Sequence, residues 1–351
     1  MARTDNDKDI RPRRALAEAP SATGDPAMAF APRAAYPQAV DAIVLAGTHQ
    51  NPRRLVNGRN KAFLEIEGMP LVHHVVDALV RARHVDRVYV VGPADELAGS
   101  LGGYTAVHCV PQEGKMLSNS WAAIRAAEAA YSHLPEAQVQ ARPLLIVSSD
   151  LPLITAEGVD DFIERCAAVD AEAGFDHALL VGVAEEEQLK LYYGDSERPG
   201  IQRPPVHLDS GLLRLANIYI ARPRHLAHHE FLQTSFSYRK AKDWRNVMKL
   251  VISLFRQHGG WAAAWLTMRL QLAAMLSRGK GRWYQKIRAG NTVARVEDGV
   301  STVLGGPVRM VETPFGGLSL DVDDADDYQV LISRYREWMP VIDPESPGTA
   351  P

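Results

Sequence analysis

The sequence predicts an α/β protein: a mostly parallel, mixed sheet with helices on both faces and a helical insertion towards its C-terminal end. Three observations carry that prediction. Short apolar runs such as Val40–Gly47 and Leu144–Ser148 stop at Gly or at polar residues, as buried parallel strands do where they enter loops. These runs alternate with segments of helical period, and such alternation implies strands joined by covering helices. From Tyr238 the texture changes: Arg239–Arg288 carries twelve Lys/Arg against one acid, Asp243, and four of the six tryptophans.

Taken in order, Asp41–Ala46 is the first strand, and the polar, basic stretch Thr48–Asn60, with Pro52 and Gly58, is a loop. Lys61–Ile66 reads as extended. Gly68–Pro70 makes a turn, and Pro70 opens a helix to about Arg83 with Leu71, Val75, Ala78 and Leu79 on its apolar face. Asp86–Val91 and Thr105–Val110 are strands. Ser118–Tyr131 is a helix with Ser118 as its N-cap. Leu144–Ser148 is a strand, Glu157–Val169 a helix and Ala178–Val183 a strand. In the insertion, Lys242–Arg256 and Trp261–Arg278 look helical on either side of Gly259-Gly260. Val308–Glu312 and Leu318–Val322 look like strands, so the insertion lies within the fold.

Residues 1–37 are rich in Arg, Ala, Pro and Asp without an apolar stretch, and are expected to be a disordered arm. They hold no apolar h-region for a secretory signal. Residues 339–351 are expected to be a disordered tail, leaving 38–338 as the folded domain with its insertion at about 239–288. A net charge of −3 points to no nucleic-acid partner. Cys109 and Cys166 have no CxxC or His-rich companion, which argues against zinc or a disulfide framework and for a cytoplasmic protein of small buried thiols.

Ligands of such sheets bind beyond the carboxyl ends of the strands, which singles out four motifs. Leu45-Ala46-Gly47 is followed fourteen residues later by Lys61. A glycine turn lets backbone N–H groups approach phosphates, and a lysine at the far end of the loop neutralises them; a plain turn with a solvated lysine is the alternative. Neither a Walker A nor a GxGxxG spacing is present. Asp150 ends a buried strand, where a carboxylate suits Mg²⁺ or caps the next helix. Asp321 and Asp323 fall on one face of an extended segment, while the acids after them suit a helix start. Gln112–Ser120 joins a strand end to a helix N-terminus; its Gln112, Ser118 and Asn119 offer groups that could read a base, and an ordinary capping loop is the alternative.

In order, these motifs resemble the MobA-like nucleotidyltransferase family. Val44-Leu45-Ala46-Gly47 is similar to its opening "LAGG", although Thr48 stands at the second glycine. Asn60–Leu71 is similar to "KxLxxxxGxPll", Ser149-Asp150-Leu151-Pro152-Leu153-Ile154 to "DxPli", and Leu320–Tyr328 to "DIDTPEDY". Leu208–Ile220, with Gly211 and Asn217, resembles "dGxxxxxN". The resemblance covers roughly Val40–Leu331. It implies a GT-A-type fold, as in nucleotide-diphospho-sugar transferases, and transfer of NMP from an NTP to an anionic, phosphorylated small-molecule acceptor with release of pyrophosphate. Lys61 and Asp150 are then the catalytic residues. Leu45, Ala46, Gly47, Lys61, Gln112, Ser118 and Asn119 hold the nucleotide, and Asp150, Asp321 and Asp323 hold Mg²⁺. A GT-A-type glycosyltransferase and a weakened nucleotide-binding protein are the alternatives. For the insertion, a helical cap on the core stands against peripheral contact with an anionic membrane or polyanion. Oligomeric state is not legible.

Overall fold

The structure is a computed structural model that describes residues 35–47, 55–56, 58–228, 260–279 and 281–343, with backbone only for 260–263. The expected arm before residue 35, the loop 48–54, the helix Lys242–Arg256 and the tail beyond 343 lie outside the described residues.

Twelve strands are described: β1 (Val40–Leu45), β2 (Leu55–Val56), β3 (Arg59–Asn60), β4 (Glu65–Ile66), β5 (Met69–Pro70), β6 (Val85–Gly92), β7 (Val107–Pro111), β8 (Leu144–Ser148), β9 (Leu179–Glu185), β10 (Val206–His207), β11 (Leu212–Ala221) and β12 (Val308–Glu312). The α-helices are α1 (Leu71–Arg81), α2 (Ala94–Leu101), α3 (Met116–Ala129), α4 (Glu136–Gln140), α5 (Ala156–Glu172), α6 (Glu186–Leu189), α7 (Gly260–Leu276), α8 (Arg282–Arg288), α9 (Val293–Leu304) and α10 (Ala325–Ile342).

Eight strands form one sheet in the order β12-β9-β11-β8-β1-β6-β7, with β10 beside β11. The β1–β6, β1–β8, β6–β7 and β12–β9 pairs are parallel. β11 runs antiparallel to β8 and β9. The sheet is therefore mixed and mostly parallel, as expected.

β1 shows why it lies at the centre. Val40, Ala42 and Val44 face a core with Val72, Val75 and Leu79 of α1 and Phe162 and Ile163 of α5. Ile43 points the other way, to Ala123, Ile124 and Ala127 of α3. Both faces are apolar because both are covered. α9 covers the α3 side further along, where Leu304 meets Leu179 and Ile146. Leu266 and Leu270 of α7 join Val183, Leu213 and Val296 on that side.

Several expectations are corrected. Of the segment expected to be extended, Lys61–Phe63 is a 3-10 turn, because the Asn60 side chain caps it by accepting from Ala62 N at 3.1 Å, while Glu65–Ile66 is extended. α3 begins at Met116 with Lys115 as N-cap, so Ser118 lies inside its first turn and is not the cap. The expected strand Leu318–Val322 is a 3-10 turn at Gly316–Ser319 followed by irregular chain. The glycines explain it: a Cβ on Gly316 would meet Gln188 O at 2.2 Å and one on Gly317 would meet Leu153 O at 2.5 Å. Only bare backbone packs that closely. Asp321 and Asp323 thus share no strand face. The domain also extends past both expected limits. Buried Tyr36 donates to Asp170 Oδ2 at 3.0 Å, and α10 continues through Pro340 to Ile342 with Met339 buried. Cys166 is buried and Cys109 half-buried, both as free thiols.

Candidate active site at the carboxyl ends of the strands

β1, β6, β7 and β8 are parallel, so their carboxyl ends share one edge of the sheet. Register places Leu45 beside Ser148 of β8 and Val91 of β6. Ala46 N continues the ladder to Val91 O at 2.9 Å. Asn60 Nδ2 donates to Ala46 O at 3.0 Å. That bond ties the start of the Lys61 turn to the end of β1, fourteen residues earlier in sequence.

Lys61 is 8% exposed and Asp150 7% exposed. The Lys61 ammonium lies 3.6 Å from Asp150 Oδ2 and donates to Val322 O. Val322 N in turn donates to Asp150 O at 3.1 Å. The Ser148 hydroxyl donates to Asp150 Oδ1. Three segments far apart in sequence therefore meet at one ion pair. Asp150 does not cap the following helix, since Thr155 caps α5 by accepting from Gly158 N at 3.0 Å.

Gly47, Gln112 and Asn119 form a second group. A Cβ on Gly47 would stand 2.3 Å from Asn119 Nδ2 and 3.4 Å from Gln112 Oε1. Buried Asn119 accepts from Glu113 N at 2.7 Å and Gly114 N at 3.0 Å, shaping the loop before α3. α3 has no side-chain cap and no acid in its first turn. Its first N–H groups lack intrahelical partners and suit anionic or carbonyl acceptors. Ser118 sits there, half-buried.

Sequence reasoning missed Arg203. Its guanidinium grips Asp327 through two bonds, Nη1–Oδ1 at 3.0 Å and Nη2–Oδ2 at 2.6 Å. Nη2 also donates to Asp321 O at 2.6 Å and lies 3.6 Å from Asp323 Oδ2. Burial opposes the charge, but the Asp327 bond and the Asp323, Asp327 and Asp321 charges outweigh it and raise the Arg203 pKa. Asp327 also closes a capping box with Asp324 at the start of α10. The later acids thus begin a helix, as expected. Nothing adjacent to Arg203 in sequence marks it; its partners lie about 120 residues away.

Among the described residues, no group of three or more His, Cys, Asp or Glu side chains is assembled to hold a metal ion. The carboxylates expected to serve as oxygen donors are Asp150, Asp321 and Asp323. One or two carboxylates still fit Mg²⁺, which usually takes its remaining ligands from phosphate and water.

Residues 42–206 match the MobA-like NTP transferase domain. The family resemblance read from the motifs is borne out over that span. Over 131 residues the chain is 30% identical to a 2-C-methyl-D-erythritol 4-phosphate cytidylyltransferase of Chlorobium luteolum, covering 35% of this chain and 52% of that protein. A protein of the same name from Prosthecochloris aestuarii is 26% identical over 130 residues, with the same shares. The chain thus spans about half the length of these curated relatives. Among solved structures, a hypothetical transferase from Thermus thermophilus is 21% identical and covers 83% of this chain and 99% of that one, with a TM-score of 0.49. The matched span contains Lys61, Asp150, Gly47, Gln112, Ser118, Asn119 and Arg203. Asp321 and Asp323 lie beyond the matched residues.

Proposed function

We propose that the chain transfers a nucleotidyl group from an NTP to a phosphorylated small molecule and releases pyrophosphate. The observation that carries this reading is the junction of Lys61, Asp150 and the Val322 backbone at the strand ends. An acceptor phosphate oxygen attacks the α-phosphorus as the bond to the bridging β-oxygen breaks and pyrophosphate leaves. Such transfer depends on positioning and charge neutralisation more than on covalent chemistry by the protein.

Asp150, with Asp321 or Asp323, would hold Mg²⁺, which supplies positive charge to the α-phosphate and the leaving group. Lys61, the counter-ion of Asp150, is proposed to turn its charge to the β- and γ-phosphates when they enter. The backbone of Leu45, Ala46 and Gly47 would lie along the nucleotide. Gln112, Ser118 and Asn119 would read base and sugar from the N-terminal end of α3. A cytoplasmic location belongs to the same proposal.

CTP is the first nucleotide to test, since both relatives are cytidylyltransferases, and a phosphorylated acceptor suits the "4-phosphate" of their name. Pyrophosphate release would be measured with each NTP, Mg²⁺ and a panel of sugar and polyol phosphates. We expect turnover with one pairing and a drop of at least about a hundredfold in Asp150→Asn, with the far-ultraviolet circular dichroism unchanged. Full activity in that variant, or sugar transfer from a nucleotide sugar without pyrophosphate, would overturn the reading.

A further inference from the structure

α7 is a helix of 17 residues with apolar side chains on more than one face. Leu266 and Leu270 pack against the core beside Val183 and Val296. Arg269 faces the same way, bonding Ile287 O at 3.0 Å and Asn291 Oδ1 at 3.2 Å. The opposite stripe follows the i, i+3, i+7, i+10 spacing: Trp265, Met268, Leu272 and Met275, all exposed, with Trp265 at 56% and Met275 at 76%. Folding leaves this stripe in water, a cost that large apolar residues seldom bear without a partner.

The flanking charge identifies the partner. No acid occurs between Asp243 and Glu297. Arg278, Arg282 and Lys286 are exposed just after the stripe. Trp283 is 73% exposed, with the Lys286 ammonium 5.9 Å from its ring centroid. A phosphate backbone of nucleic acid would use the cations but not a Met and Leu stripe. Exposed Trp, aliphatic side chains and unopposed Lys/Arg together match the headgroup boundary of an anionic bilayer.

We propose that the α7–α8 face docks on an anionic lipid surface. α7 lies on that surface and does not cross it: its 17 residues span about 26 Å at 1.5 Å per residue, short of a hydrocarbon core of about 30 Å. No helix among the described residues is long and apolar enough to cross a membrane. The docking face is tied to the sheet. α8 is fixed to the β10–β11 hairpin, where Arg288 Nε donates to Leu208 O at 2.5 Å and the Tyr284 hydroxyl pairs with His207 Nδ1 at 2.9 Å. Leu213, near the start of β11, is opposite Glu185, the last residue of β9. The hairpin is therefore at the same end of the sheet as Asp150.

The test is co-sedimentation of the full chain with vesicles of phosphatidylcholine alone or mixed with phosphatidylglycerol, at low and high salt. Binding is expected only to the mixed vesicles, and high salt should weaken it. Arg278→Gln/Arg282→Gln/Lys286→Gln should weaken binding about a hundredfold, at roughly fivefold per cation. Trp265→Glu/Met275→Glu should abolish it. Both sets lie at exposed positions, and unchanged thermal unfolding would show that they leave the fold intact. Absence of binding to either vesicle, binding that both variants retain, or a dimer in size-exclusion chromatography that Trp265→Glu/Met275→Glu dissolves would each overturn the proposal.

Discussion

Arg203 holds three acidic residues, Asp321, Asp323 and Asp327, in one place, and its side chain is almost fully buried. Removing it would leave the Asp327 carboxylate buried without its bidentate partner. Arg203→Ala should therefore destabilise the protein by about 3–5 kcal/mol, the usual result of stranding one member of a buried pair. Arg203→Lys should recover only part of that loss, because an ammonium cannot reproduce the two-pronged fork. Urea denaturation of the three proteins checks the order; equal stability of the lysine and wild-type forms would refute the role given to the fork. The same logic bears on Lys61 and Asp150. Each neutralises the other, so alanine at either position disturbs folding as well as chemistry; Asp150→Asn also removes the charge opposite Lys61, but it keeps the side-chain volume and an oxygen that can accept from Lys61 and is the better probe.

At the scale of elements, His74 joins α1 to two neighbours. Its Nε2 bonds Ile66 O at 3.1 Å and its Nδ1 bonds the Tyr335 hydroxyl at 3.0 Å. The neutral tautomer with Nε2–H satisfies both, donating to the carbonyl and accepting from Tyr335. Burial lowers the His74 pKa below 6.5, against the backbone bonds that favour the cation. The unfolded chain then binds the proton more readily than the folded one. Stability is whole above about 6.5 and erodes as pH falls towards the folded value. His207, also lowered by burial and then by Arg288, acts in the same direction. The melting temperature should fall with acid over that window, and less steeply in His74→Gln; an identical slope in the variant would remove His74 as the cause. Element positions were readable where local pattern decides them. Leu144–Ser148 and Val308–Glu312 form strands as their apolar runs imply. The Leu318–Val322 stretch has the same apolar look, but its shape is set by Gly316 and Gly317 packing on Gln188 and Leu153, contacts that no local window contains.

Over the whole molecule, the proposed nucleotide site takes residues from the ends of β1, β7 and β8, the start of α3 and the chain before α10. Such a site exists only when the sheet is assembled, so ligand binding and global stability are linked. One Mg²⁺–NTP pair should raise the melting temperature, by an amount equivalent to about 2.7 kcal/mol at a hundred times its dissociation constant. A thermal-shift screen of the four nucleotides tests this, and no shift with any of them would count against the site.

The amino-acid sequence by itself determined the alternation of strand and helix, the apolar centre at β1, and the order of motifs from Leu45 to Tyr328. Those features follow from side-chain period and from short segments whose chemistry is local. Tertiary structure alone decided that Lys61 would face Asp150 and Val322, that Arg203 would hold Asp327, and that Asn60 would tie its turn to Ala46. Each of these contacts joins residues whose separation in sequence carries no trace of their meeting. Burial forces the pairing, because a charge or amide taken out of water must find a partner in whichever segment folding brings beside it.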